Sequence, residues 1–136
     1  MNRWNKIGMV VVTLLVSRTV IAAESYESLV ATFASIADYF DKAKNNPGNG
    51  FSTQDFKDRA YIFRHFIPYL GNSKKEVSLC TDLTKRFYTS SFFQDQANYF
   101  NDLVTVTLDK QKKDDYVKKA QFLQRRADFL RNEWKQ

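Results

Sequence analysis

Few side chains in this sequence are of a type that carries out catalysis. The chain has one histidine, His65, and one cysteine, Cys80. A cysteine nucleophile needs a base within hydrogen-bond reach, but His65 falls about 180° from the apolar stripe of its own predicted helix and is expected to face solvent. Cys80 lies on the apolar face of its helix, where a thiol acts as a small buried hydrophobe. The alternative is an intermolecular disulfide that links two copies of the chain through Cys80.

Paired carboxylates and sequence motifs give no better case for an enzyme. Glycoside hydrolysis uses two carboxyl groups, but each aspartate pair of this chain lies at a predicted helix start or on a charged face, where capping and solvation explain it. No G-x-S-x-G, H-E-x-x-H or phosphate loop is present, and His65 and Cys80 have no recognised zinc spacing. We therefore expect a protein that is not an enzyme and needs no cofactor or metal. The aspartate pairs are Asp38 and Asp41, Asp55 and Asp58, and Asp114 and Asp115.

Residues 1–23 have the order of a secretory signal peptide. Arg3 and Lys6 precede an apolar run over residues 7–16, and the segment ends in Ala22 and Ala23. The alternative is an uncleaved membrane anchor, but the run is much shorter than the roughly 20 residues that span a bilayer. We predict cleavage after Ala23 or Ala22, which leaves residues 24–136 as one domain in the periplasm or outside the cell. No lipobox cysteine follows the run, so a lipid anchor is not expected.

Removal of this leader changes the charge of the protein. The full chain has 21 basic and 15 acidic residues, and three of the basic ones lie in residues 1–23. The remaining net charge of +3 and an exported location argue against nucleic acid as a partner. The basic residues are concentrated at the end of the chain, where residues 110–136 hold 9 lysines and arginines against 4 acidic residues.

Apolar residues recur at helical spacing in four or five segments with short connections, which predicts an all-α bundle of four to five helices. Residues 45–50 form the clearest loop, Ser52 with Asp55 and Ser73 with Glu76 form capping boxes, and no internal repeat is apparent. Residues 104–107 would also suit a strand, but no other segment alternates. The stripes are Leu29, Phe33, Ile36 and Phe40; Phe56, Ala60, Phe63, Ile67 and Leu70; Val77, Cys80, Leu83 and Phe87; Phe93, Ala97, Phe100, Val104 and Leu108; and Tyr116, Ala120, Leu123, Ala127, Leu130 and Trp134.

Three helix boundaries follow from local signals. Pro68 predicts a break near Phe66 or Ile67. Ser91 is a candidate cap for the fourth helix. The fourth and fifth stripes lie about 130° apart if one helix carries both, so we expect a bend between residues 109 and 115, with the fifth helix beginning at Asp114 or Asp115.

The last helix carries the candidate partner-binding site. Two phenylalanines on this helix lie about 120° from its core stripe, close to three basic residues, and protein interfaces favour such combinations. The alternatives are that both phenylalanines belong to the core, and that this basic helix makes weak contact with an anionic membrane surface. Tyr39, Tyr61 and Tyr88 are further solvent-facing candidates. The five predicted partner-binding residues are Lys118, Phe122, Arg125, Arg126 and Phe129.

These features favour an exported, non-catalytic protein that binds another protein, as an inhibitor or immunity protein that neutralises an enzyme or toxin in the periplasm. The alternative is an accessory or structural component of an envelope machine for secretion, conjugation or pilus assembly. A third hypothesis is a carrier of an apolar small molecule between its helices.

Overall fold

The computed structural model describes residues 25–48, 50–70 and 82–132 of the chain. No described residue lies in a strand, so the all-α prediction is confirmed, and residues 104–106 continue a helix. The proposed signal peptide, the Ser73 capping box, Cys80 and Trp134 lie outside the described residues. The helices are α1 (Tyr26–Ala43), α2 (Thr53–Phe66), a one-turn 3-10 helix (Ile67–Tyr69), α3 (Asp82–Phe87), α4 (Ser90–Val106) and α5 (Lys110–Asn132).

The helix starts follow the predicted capping chemistry with one correction. Ser25 accepts a hydrogen bond from the backbone N–H of Ser28 at 3.1 Å and caps α1. In α2 the Ser52 hydroxyl accepts from the Asp55 N–H at 3.0 Å, and the Asp55 carboxylate accepts from the Ser52 N–H at 2.8 Å. This second bond lowers the pKa of Asp55. The cap of α4 is Thr89, not Ser91, because its hydroxyl accepts from the Phe92 N–H at 3.1 Å.

The helix ends also follow local signals. The loop after α1 contains Gly48 and Gly50 at φ of 68° and 82°, a region that glycine enters without strain. The predicted break at Pro68 is confirmed, since α2 ends at Phe66 and Pro68 lies in the 3-10 turn. Helix α5 begins at Lys110, earlier than predicted, because the Asp109 side chain accepts from the Lys112 N–H at 3.1 Å. Helix α4 ends at Val106, so Leu108 is 98% exposed and does not extend the apolar stripe.

Two helical hairpins form the bundle, in which α1 packs on α2 and α4 packs on α5. Their interior is filled mainly by phenylalanine rings, many of them packed edge to face. Phe33 lies at the centre, with ring centroids 5.7 Å from Phe63, 6.0 Å from Phe93 and 5.6 Å from Phe122. These contacts join both hairpins into one core, because Phe33 and Phe63 belong to the first and Phe93 and Phe122 to the second.

The two hairpins are repeats of each other, displaced by 60 residues. The sequence Phe33-x3-Ala37-Asp38-Tyr39-Phe40 in α1 returns as Phe93-x3-Ala97-Asn98-Tyr99-Phe100 in α4. Residues 31–40 and 91–100 have the same order of buried, intermediate and exposed positions. In the second helix of each hairpin, Asp55 and Ala60 correspond to Asp115 and Ala120. The prediction of no internal repeat is therefore wrong. The repeat is hard to recognise in the sequence because its matching residues are spaced within otherwise different helices.

Contacts between the hairpins occur in reciprocal pairs. Tyr39 contacts its own counterpart, Tyr99, through a hydrogen bond of 2.7 Å between the two hydroxyls. The ring of Tyr39 lies 5.6 Å from Tyr116, and the ring of Tyr99 lies 5.7 Å from Phe56, the counterpart of Tyr116. Because these ring contacts have partners with the two halves exchanged, the hairpins are related by an approximate twofold axis near the Tyr39 and Tyr99 hydroxyls.

Candidate functional site

A surface groove runs between α1 and α5, the first and last of the described helices. It consists of two adjoining cavities of about 690 and 400 Å³. Both cavities are lined by Ala31 and Ser35 of α1 and by Asp115 and Lys119 of α5. Ala31 and Ser35, with Ala34, give α1 a surface without long side chains. The groove therefore remains open between the two helices.

The groove contains more positive than negative charge. Five basic and three acidic side chains line the two cavities. Each carboxylate already has a partner: Asp38 accepts from Arg64 at 2.8 Å, Asp115 accepts from Lys119 at 2.6 Å, and Asp109 caps α5. The other basic side chains are exposed and make no ion pair with a described residue. These groove cations are Lys42, Lys112, Lys118 and Arg125.

Two tyrosines, Tyr39 and Tyr116, line the groove beside Lys42 and Lys112. Burial is the main cause that raises the pKa of both tyrosines, and the hydrogen bond with Tyr99 raises the pKa of Tyr39 further. Both hydroxyls therefore stay protonated at neutral pH. They can exchange hydrogen bonds with a bound molecule, but they are poor nucleophiles or bases.

The described side chains of the groove can contact a bound molecule through charge and hydrogen bonds. No cluster of three or more histidine, cysteine, aspartate or glutamate side chains that could hold a metal ion occurs among the described residues. Lys119, the fifth basic side chain, is only 7% exposed and makes an ion pair with Asp115 of its own helix. The groove cations project from both walls and provide the long-range attraction for an anionic surface.

The groove brings together three of the five predicted partner-binding residues. Lys118, Phe122 and Arg125 line the smaller cavity, although Phe122 is only 5% exposed and belongs to the core. Arg126 is 8% exposed, and its guanidinium lies 5.3 Å from the ring centroid of Phe129, which packs against the core. Phe122 is thus a core residue, whereas Phe129 packs against the core and keeps part of its surface exposed. Phe122 and Arg126 therefore present little of their surface to a partner, and Phe129 presents only part of its surface.

The other aromatic candidates differ in exposure. Tyr61 is 60% exposed, as predicted, and Tyr39 is partly buried. Tyr88 is only 2% exposed because its ring packs 5.0 Å from Phe66 and 5.3 Å from Phe93, so its prediction as a surface residue is wrong.

The predicted solvent exposure of His65 is only partly correct. The ring of His65 stacks at 5.7 Å on Tyr61 and lies 6.2 Å from Tyr69, so the side chain is partly covered.

The sequence pattern indicated Tyr39 but not the rest of the groove surface that α1 supplies. Lys42, Tyr39 and the small residues at positions 31, 34 and 35 come from a helix that is far from α5 in sequence. The spacing of the small residues, one turn apart on α1, is the only local signal. Which helix faces this surface is decided by the packing of one hairpin on the other.

Fold and groove together define an all-α helical bundle with a charged groove on its surface. Among the described residues, no helix is long and apolar enough to cross a membrane. Comparisons of the chain with protein-family models, with curated proteins and with solved structures find no match.

Proposed function

We propose that this protein is exported, loses residues 1–23 and acts by binding another protein, as an inhibitor or immunity protein for an enzyme or toxin in the periplasm. The leader pattern supports export. The shortage of reactive side chains supports a binding role rather than catalysis. A single small domain with a charged surface suits a partner of complementary charge.

The observation that carries the proposal is the groove between α1 and α5. Its four groove cations are held on two helices that the shared core fixes in place, so a partner meets a preorganised surface. An apolar contact is available nearby, since Leu108 is 98% exposed and adjoins the groove residue Asp109. Charged and apolar side chains on one rigid surface are typical of protein interfaces.

Affinity purification from the cell envelope fraction tests this function. A tagged protein expressed from the full sequence should retain a defined partner through purification, and the partner's enzymatic or toxic activity should fall when the protein is added in equal amount. For an immunity role, the gene of the partner should lie beside the gene of this protein, and deletion should harm the cell only when the partner is present. A harmless deletion beside an active toxin would contradict the proposal.

The same purification separates the alternatives. Co-fractionation with a large envelope assembly would instead identify a component of a secretion, conjugation or pilus machine. A lipid or pigment detected by mass spectrometry of the purified protein would identify a carrier. Finding the chain in the cytosol with residues 1–23 intact would contradict export.

A further inference from the structure

We infer that the groove between α1 and α5 binds an acidic segment of the partner protein. The inference rests on the proposed function and names the chemistry that this partner must present. Its basis is a comparison of this groove with the surface between α2 and α4, which the approximate twofold axis relates to the groove.

The repeat provides an internal comparison at every groove position. Lys42 corresponds to Asp102, 60 residues later in the chain, and Lys118 corresponds to Asp58, 60 residues earlier. Lys112 corresponds to Ser52, and Arg125 corresponds to His65. Four cations on one side are thus replaced by two carboxylates, a hydroxyl and an imidazole on the other side of the same scaffold. The fold accepts either set, so folding does not explain the basic one.

The two surfaces also differ in whether a side chain crosses them. On the α2 and α4 side, Arg59 donates a hydrogen bond to Gln96 of α4 at 3.1 Å and lies 4.9 Å from the ring centroid of Phe51. Its counterpart Lys119 bonds to Asp115 within its own helix. Gln111 stands at the position that corresponds to Phe51. Among the described residues, no hydrogen bond of this kind crosses the groove that carries the cations.

The dimensions of the groove suit one segment of polypeptide. Its lining extends along α1 from Ser28 to Lys42, which at 1.5 Å per residue is about 21 Å. This length matches about 14 residues of helix, or about six residues of extended chain. Lys42 and Lys112 lie toward one end, while Lys118 and Arg125 line the cavity toward the other. Acidic side chains spaced along one segment can therefore reach both pairs.

Protein fits this surface better than a membrane or a nucleic acid does. The cations line a concave groove, which a flat bilayer would contact only at its rim. The carboxylates of Asp38, Asp109 and Asp115 interrupt the positive charge and would repel a continuous row of phosphates. A protein segment can place neutral residues opposite these carboxylates and acidic residues opposite the cations.

Binding of defined probes tests the inference with two charge-matched variants. The groove variant, Lys42→Asp with Lys118→Asp, takes its residues from the equivalent positions of the other hairpin. The control variant, Lys57→Asp with Lys85→Asp, makes the same change in charge at exposed lysines that do not line the groove. Circular dichroism checks folding. If the groove variant fails to fold, Lys112→Ser with Arg125→His replaces it.

The probe is a fluorescent helical peptide of glutamate and alanine, about as long as the groove. We expect it to bind the unaltered protein and the control variant. The groove variant should bind about tenfold more weakly at low salt, since each of the two reversed charges contributes about a factor of three. The difference should shrink at high salt, because the Debye length falls from about 10 Å at 0.1 M to about 3 Å at 1 M.

Several results would overturn the inference. The first is that the acidic peptide does not bind, and the second is that both variants weaken its binding equally. The third is that anionic phospholipid vesicles or a single-stranded oligonucleotide bind the groove cations in preference to the peptide. The partner purified from the envelope separates this inference from the proposed function. Equal loss of that partner from both variants would reject the groove alone, whereas the absence of any protein partner would reject the proposed function.

Discussion

The hydrogen bond between Tyr39 and Tyr99 permits a direct test of the reciprocal packing of the two hairpins. The two hydroxyl oxygens lie 2.7 Å apart, both rings are partly buried, and each hydroxyl has the other as its only hydrogen-bond partner among the described residues. Tyr39→Phe leaves the Tyr99 hydroxyl without this partner, and Tyr99→Phe leaves the Tyr39 hydroxyl in the same state. The double substitution removes both polar groups while both rings remain in place.

The expected energies follow from this geometry. Removing one partner of a partly buried hydrogen bond costs about 1 kcal/mol net, so each single substitution should lower the free energy of unfolding by about this amount. The double substitution should cost at most about 0.5 kcal/mol, because replacing both partners by apolar groups of the same shape is nearly neutral. The two sites should therefore be coupled by about 1.5 kcal/mol.

Urea unfolding followed by circular dichroism measures these differences. With a denaturant slope of about 1–3 kcal/mol per molar, each single substitution should lower the midpoint by about 0.3–1 M, and the double variant should recover most of the loss. Tyr61→Phe is the control, because this side chain is 60% exposed and should change stability by no more than about 0.5 kcal/mol. Additive losses in the double variant would refute the assignment of the two hydroxyls as mutual partners.

Three further predictions concern stability. Burial raises the pKa of Tyr39, Tyr99 and Tyr116, so the folded state keeps protons that the unfolded chain releases above about pH 10. The urea midpoint should therefore fall as the pH rises beyond that value, and a rising midpoint would contradict this. Phe33→Ala should lower the free energy of unfolding by about 3–5 kcal/mol, since the ring is fully buried, and thermal melts that show no loss would reject the described core. Ser52→Ala removes the cap of α2 and should cost about 1 kcal/mol by urea unfolding, so an unchanged midpoint would argue against the capping box.

The sequence was sufficient for the features that depend on neighbouring residues. The apolar stripe of α1, the Ser52 capping box and the break at Pro68 each depend on side chains within about two turns of helix, so local spacing predicts them. All four stripe residues of α1 are buried. The rings of Phe51 and Phe56, on either side of the Ser52 cap, lie 5.7 Å apart and form a hydrophobic staple. The first two helices could therefore be placed to within a few residues.

Features that depend on packing between hairpins could not be predicted in the same way. The sequence pattern predicts Tyr88 to be a surface residue, whereas in the structure its ring packs against Phe66 and Phe93. Arg126 is buried at the position that corresponds to Phe66. The second hairpin thus places a cation where the first places a ring. This exchange of residue types also hides the repeat from a comparison of the sequences alone.

The repeat separates what the fold requires from what it leaves free. A buried position must be filled in both hairpins, so Phe33 and Phe40 return as Phe93 and Phe100. An exposed position on the groove is under no such requirement, and there Lys42 and Lys118 correspond to Asp102 and Asp58. Because the core is shared and the charges are not, the two faces of one scaffold carry opposite charges. A function that depends on charge should therefore act through one face of this molecule and not through both.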